Sequence, residues 1–157
     1  MTAPERGEAD AWTRAGGSQR LLEVGVVPAP GDVRDALNLS DGAEVVRRVR
    51  LILKDGEPIE VAVSHWPAEW AAATGLAEAK PVKGGTIRLL ADLGWIADDW
   101  QDDVSPAVAD GEEVPQAPVG AALLVIRRTL WSADHIPFEY DVMHSWDGHA
   151  QRYTGKA

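Results

Sequence analysis

A chain of 157 residues with 45% hydrophobic residues is long enough for a single domain with a real core, and the lack of cysteine excludes disulfides, thiolate metal sites and cysteine nucleophiles. The net charge of −10 sets the surface against phosphate backbones and hence against direct nucleic-acid binding by this chain. No apolar run approaches the ~20 residues of a membrane span, and the polar N-terminus is not a signal peptide, which together point to a cytoplasmic protein away from the membrane.

Residues 1–17 (MTAPERGEADAWTRAGG) are polar and punctuated by glycine, so they read as a flexible leader before a folded unit at 18–157. A first strand is expected over 21–27 (LLEVGVV), stopped by Pro28-Ala29-Pro30-Gly31. Asp32 is placed to cap a short helix, VRDALNL, with Val33, Ala36 and Leu37 on one face. Next comes VVRRVRLILKDGEPIEVAVSHWP, two alternating apolar runs around Asp55-Gly56, a strong hairpin turn signal. Facing Lys54 with Glu57 carries the pairing back to Arg47 opposite Ser64. Arg47, Arg48 and Arg50 sit in a strand otherwise built for burial, so each needs a carboxylate from the protein or an acidic group from a ligand.

Pro67 opens a short helix with Gly75 as its stop, and a polar connector leads to a second helix, TIRLLADL, ended by Gly94. Ile87, Leu90 and Ala91 are its inward positions. Residues 95–108 read as an acidic strand region in which Asp98, Asp99, Asp102 and Asp103 form a solvated edge, because alternation sends them to both faces and denies a metal site. No other metal or cofactor motif is present. Pro115 and Pro118 break the segment that follows. A second hairpin pairs ALLVIRRTLW with PFEYDVMHSW across 132–135. Pairing Trp131 with Phe138 sets Arg128 opposite Asp141, with Glu139 diagonal on the same face. Residues 149–153 could add a terminal strand. Two long hairpins with helices between them indicate an α+β domain built on an antiparallel sheet.

Taken together, Arg48-Val49-Arg50-Leu51, Asp55-Gly56-Glu57-Pro58, Ser64-His65-Trp66-Pro67, Gly84-Gly85-Thr86, Leu89-Leu90-Ala91-Asp92-Leu93-Gly94, Leu124-Val125-Ile126-Arg127-Arg128 and Pro137-Phe138-Glu139 resemble the UTRA domain. This is the effector-binding half of the HutC branch of GntR-type transcription regulators. The resemblance implies a chorismate lyase-like fold, a homodimer, and a small-molecule ligand with an acidic group. It also implies ligand contacts at Arg48, Arg50, Gly85, Thr86, Glu139 and Trp146. Arg88 stands where the family carries an aromatic residue and would either add positive charge to the pocket or point to solvent.

These positions are chemically apt. Two arginines offer forked donors to a carboxylate or phosphate, and Gly-Gly-Thr at a helix start presents free backbone N–H groups. The alternative for the arginines is pairing with Glu60, Glu139 or Asp141. Seven tryptophans against two tyrosines and one phenylalanine suit core filling, or an aromatic pocket where they stand near strand ends. Trp66, Trp95 and Trp146 replace smaller family residues and suggest a bulkier, more aromatic or apolar ligand.

No winged-helix pattern is present, which leaves an effector domain without its own DNA-binding domain; the starting methionine favours a natural protein of that kind. The alternative function is an enzyme on the same fold (a lyase, isomerase or cyclase), with Glu139, His65 or His144 as general base.

Overall fold

The protein, as a computed structural model, is described for residues 16–147 and 150–155. All but the last two residues of the expected leader lie outside that range, and Gly17 already begins the first strand.

Six antiparallel strands form one sheet in the order β1-β2-β3-β6-β5-β4. They are β1 (Gly17–Pro28), β2 (Glu44–Lys54), β3 (Glu57–Pro67), β4 (Asp99–Val108), β5 (Ala122–Trp131) and β6 (Pro137–Ser145). The helices are short: α1 (Gly31–Ala36), α2 (Ala68–Ala71) and α3 (Thr86–Asp92), with a 3-10 turn at Gly75–Ala77. Asp32 sits in the first turn of α1, whose N-cap is Pro30 without a side-chain cap. Gly75 begins the 3-10 turn instead of only stopping α2, and residues 150–155 are irregular, not a strand.

The Asp-Gly turn forms as its chemistry dictates, with Asp55 and Gly56 both at positive φ (51° and 81°) and Lys54 facing Glu57. A bulge then shifts the register by one, so Ile52 pairs with Glu60 and Ile59 is left over. Arg47 therefore faces His65, and it is Arg48 that faces Ser64. In the second hairpin Arg128 faces Asp141 as expected, but a bulge pairs Trp131 with Pro137 and leaves Phe138 unpaired. The turn holds His135 at φ 59°, with its ring stacked on Trp131 at 5.9 Å.

Each face of the sheet carries its own core. On one face α2, the 3-10 turn and α3 pack Ala71, Leu76 and Leu90 over Val46, Trp66 and Phe138. On the other, α1 sets Val33 and Leu37 against Val45 and Tyr140, while the 109–121 loop drops Ala109, Val114 and Ala117 onto Val49, Leu51, Val61, Val125 and Trp146. Across the first face runs a transverse row in which successive register partners are Val24, Arg48, Ser64, Asp141, Arg128 and Asp102, one from each strand. That polar row crosses the sheet beside the α3 core.

Candidate ligand-binding site

A cavity of about 250 Å³ lies between α3 and this first face. Its upper wall is Thr86, Ile87, Leu90 and Ala91 of α3, continued by Trp95, Ile96 and Ala97. Its floor is Arg50 of β2, Trp100 of β4, Arg128 and Leu130 of β5, and Phe138, Glu139 and Asp141 of β6. The β6 bulge explains how the consecutive residues Phe138 and Glu139 both reach it. Leu90 is the anchor of α3 at 3% exposure, whereas Ile87 and Ala91 line the cavity and stay exposed. The upper aromatic wall is braced, since Trp95 lies 5.4 Å from Phe138 and 4.9 Å from Trp70, centroid to centroid.

At the β4 side the floor is locked by a charge fork. Arg128 Nε and Nη2 donate to Asp102 Oδ1 and Oδ2, both at 2.7 Å, and Tyr153 Oη donates to Asp102 Oδ2 at 2.7 Å. The guanidinium also lies 5.6 Å from the Trp100 ring centroid, and Trp100 stacks on Tyr153. Burial pushes the Asp102 carboxyl up, but the Arg128 and Tyr153 hydrogen bonds and the Arg128 charge outweigh it and hold it below the usual carboxylate value. Asp102 is thus no part of a solvated edge, because its side chain is 3% exposed.

In the middle of the floor sit Arg50, Glu139 and Asp141. Arg50 donates from Nη2 to Ser64 Oγ at 3.1 Å and from Nη1 to Gln19 Oε1 at 3.3 Å, and its Nε has no hydrogen-bond partner among the described residues. Glu139 is buried and accepts from Trp66 Nε1 at 2.9 Å. Burial above all, and then the charge and hydrogen bond of the adjoining Asp141 side chain, raise Glu139 well above the usual carboxylate range. Among the described residues neither carboxyl has an ion pair, and neither does Arg50.

The other expected site residues fall elsewhere. Arg48 shares the face with Arg50, but its guanidinium donates to the carbonyls of Leu76, Glu78 and Lys80 at 2.8, 2.9 and 2.8 Å, pinning the 75–80 connector to the sheet. Burial, with the Arg50 charge added, lowers its pKa from the ordinary guanidinium value. Gly85 is the N-cap of α3 at φ 88°, a backbone role, and is not among the lining residues. Arg88 is exposed, and its Cδ lies 3.1 Å from where a Cβ on Gly84 would stand. Trp146 is buried in the core of the opposite face.

Both histidines also belong to that opposite side. His65 Nδ1 meets Tyr140 O at 3.0 Å, and burial lowers its pKa beyond what that bond and Asp141 restore. His144 lies 3.6 Å from Glu113, with burial again lowering it more than the Glu113 charge restores. Of the three residues named for a general base, only Glu139 reaches the cavity.

Trp100, Arg128 and Asp141 are lining residues that the sequence reading left outside the site. Alternation carried the available signal, since Trp100 and Asp102 share a face of β4 and the register partner of Asp102 is Arg128.

Residues 17–145 match the UTRA domain. Over 145 residues the chain is 27% identical to an uncharacterised HTH-type transcriptional regulator of Streptomyces coelicolor, covering 88% of this chain and 54% of that one, so it spans about half the relative's length. The fold resembles the ligand-binding domain of a GntR-family transcriptional regulator from Bordetella bronchiseptica, with a TM-score of 0.75 and 20% identity over 91% of this chain and 90% of that chain. It also resembles the effector domain of PhnF from Mycobacterium smegmatis, with a TM-score of 0.74 and 19% identity over 88% and 86% of the two chains. A transcriptional regulator from Streptomyces coelicolor is 26% identical over 82% of this chain and 85% of its own, with a TM-score of 0.69. The family match over most of the chain and the shared antiparallel sheet make this protein a member of the UTRA domain family, with the fold of the ligand-binding domains of GntR-family regulators.

Proposed function

We propose that this UTRA domain senses a small metabolite in the cavity under α3 and passes the binding signal to a transcription regulator, through a DNA-binding domain joined to it or a partner that carries one. The observation that carries this reading is a concave, mostly apolar pocket with a few convergent polar groups, the usual form of a small-molecule site. Arg50 is its anchor for an acidic group, because its guanidinium lines the cavity without an ion pair. Trp95, Trp100 and Phe138 supply flat apolar surface for the rest of the ligand.

Assignment to the HutC branch, a cytoplasmic location and a homodimer complete the proposal. No helix of the described residues is long and apolar enough to cross a membrane. Sedimentation equilibrium checks the dimer, for which a concentration-independent monomer mass is the contrary result.

The test of the sensing role is a thermal-shift screen of small carboxylates and phosphates, followed by titration calorimetry of the hits on wild type and Arg50→Ala. Arg50→Ala is expected to weaken binding at least tenfold, equivalent to ~1.4 kcal/mol. Unchanged affinity removes Arg50 as the anchor.

A further inference from the structure

Among the described residues, Asp141 and Arg50 on the cavity floor each lack an ion-pair partner. Asp141 lines the cavity at 9% exposure, and its Oδ1 has no hydrogen-bond partner among the described residues. The arginine opposite it in register, Arg128, is committed to Asp102 through both ends of its fork. Its neighbour Glu139 is a second buried carboxyl, which accepts from the Trp66 indole and brings no positive charge. Arg50 lines the same cavity and, among the described residues, donates only to the neutral Ser64 and Gln19, its Nε having no hydrogen-bond partner. Buried charges are stable when paired, and here the two candidates do not pair with each other.

We infer that the ligand is a zwitterion with a flat apolar body: an ammonium or similar cation that meets Asp141, an acidic group that meets Arg50, and a ring between Trp95 and Trp100. The inference rests on the cavity being the effector site and names the chemical class it takes. A purely anionic ligand satisfies Arg50 but brings negative charge beside the Glu139–Asp141 pair, which already crowds two carboxyls at one place. A ligand carrying both signs neutralises each buried group in turn. The cavity volume of about 250 Å³ matches a single ring with short substituents.

Three probes built on one ring separate the contributions: phenylalanine carries both charges, phenethylamine only the cation, and 3-phenylpropanoate only the anion. Calorimetry is run with each on wild type, Asp141→Asn and Arg50→Gln, and the indole N–H resonances of Trp95, Trp100 and Trp66 are followed in parallel. Phenylalanine is expected to bind at least tenfold tighter than either single-charge probe. Asp141→Asn, nearly isosteric, is expected to erase its advantage over 3-phenylpropanoate, and Arg50→Gln its advantage over phenethylamine. The Trp66 resonance reports whether Glu139 is still in place in each variant. If 3-phenylpropanoate binds as tightly as phenylalanine, or Asp141→Asn leaves their ratio unchanged, the cation subsite is overturned while the effector-site reading stands. If none of the probes shifts Trp95 or Trp100, the zwitterionic aromatic class is overturned, while the effector-site reading is decided separately by the carboxylate and phosphate screen.

Discussion

Arg48 and Arg50 point from the same face of β2, yet they do different work: Arg48 is consumed by three backbone carbonyls of the 75–80 connector, and Arg50 reaches the cavity. The difference arises from what lies above each position. The 3-10 turn at Gly75–Ala77 passes over Arg48, whereas over Arg50 the helix layer gives way to open space beside α3. Arg48→Met is therefore expected to lower unfolding free energy by about 2 kcal/mol, since it leaves the buried Leu76 carbonyl without a donor and releases the Glu78 and Lys80 carbonyls. Arg50→Ala is expected to change stability by less than about 1 kcal/mol. Urea denaturation of the two variants checks the contrast, and equal midpoints contradict it.

The same division applies to the tryptophans. Trp146→Leu removes indole volume from the core under the 109–121 loop and is expected to cost about 2–3 kcal/mol while ligand affinity stays within twofold. Trp100→Leu, at the cavity wall, is expected to reverse that pattern, with affinity falling more than fivefold. Calorimetry on variants first shown to be folded by circular dichroism separates the outcomes.

Glu139 gives the fold a pH dependence of defined sign. Its folded pKa is raised above an unfolded value near 4.5, so its contribution to stability is fully present below that pH and is lost as pH rises through the folded pKa. His65 and His144 act oppositely: their folded values lie below 6.5, so their contribution is present above 6.5 and is lost as pH falls through the lowered values. The difference between wild type and Glu139→Gln isolates the carboxyl. The amide oxygen can still accept from Trp66, so the variant is expected to gain on wild type as pH rises above 4.5 towards the raised folded pKa. A gap that does not widen with pH places the Glu139 pKa in the ordinary range.

Asp102 supplies the acid-side counterpart. Its folded pKa is depressed below 3.8, so its contribution is present above that value and disappears as pH falls through the lower folded pKa. Asp102→Asn at neutral pH is expected to cost about 2–3 kcal/mol, short of a fully buried unpaired charge because Arg128 keeps 20% side-chain exposure. Tyr153→Phe, which removes one hydrogen bond to the same carboxylate, is expected to cost about 0.5–1 kcal/mol. Denaturation at pH 7 and pH 3 reads both, and the Asp102→Asn deficit should shrink at the lower pH.

Much of this architecture was legible in the chain. Asp55-Gly56 located the first hairpin because few residue pairs accept two positive φ values, and alternation outlined β5 to its ends. The bulges at Ile59 and Phe138 left no mark, because an extra residue in an apolar strand looks like any other, and each moved the pairing by one. The sequence reading also assigned Glu139 and Trp146 to one site although seven residues separate them, and period two sends an odd separation to opposite faces. Asp102 read as solvent edge because its burial depends on Arg128, brought beside it only when β4 pairs with β5. Trp100 was hidden among aspartates for the same reason. The pocket is thus mostly a product of strand pairing, while the hairpins that frame it are local.

The proposed seat of the ligand is the cavity between α3 and the sheet. The indole N–H signals of the seven tryptophans make the direct measurement, in nitrogen-correlated spectra recorded through a titration with any ligand from the metabolite screen. The Trp95 and Trp100 signals are expected to shift in proportion to saturation while Trp146 stays fixed. Movement of Trp146 with Trp95 and Trp100 unchanged would place the ligand on the other side of the sheet and rule out the cavity under α3.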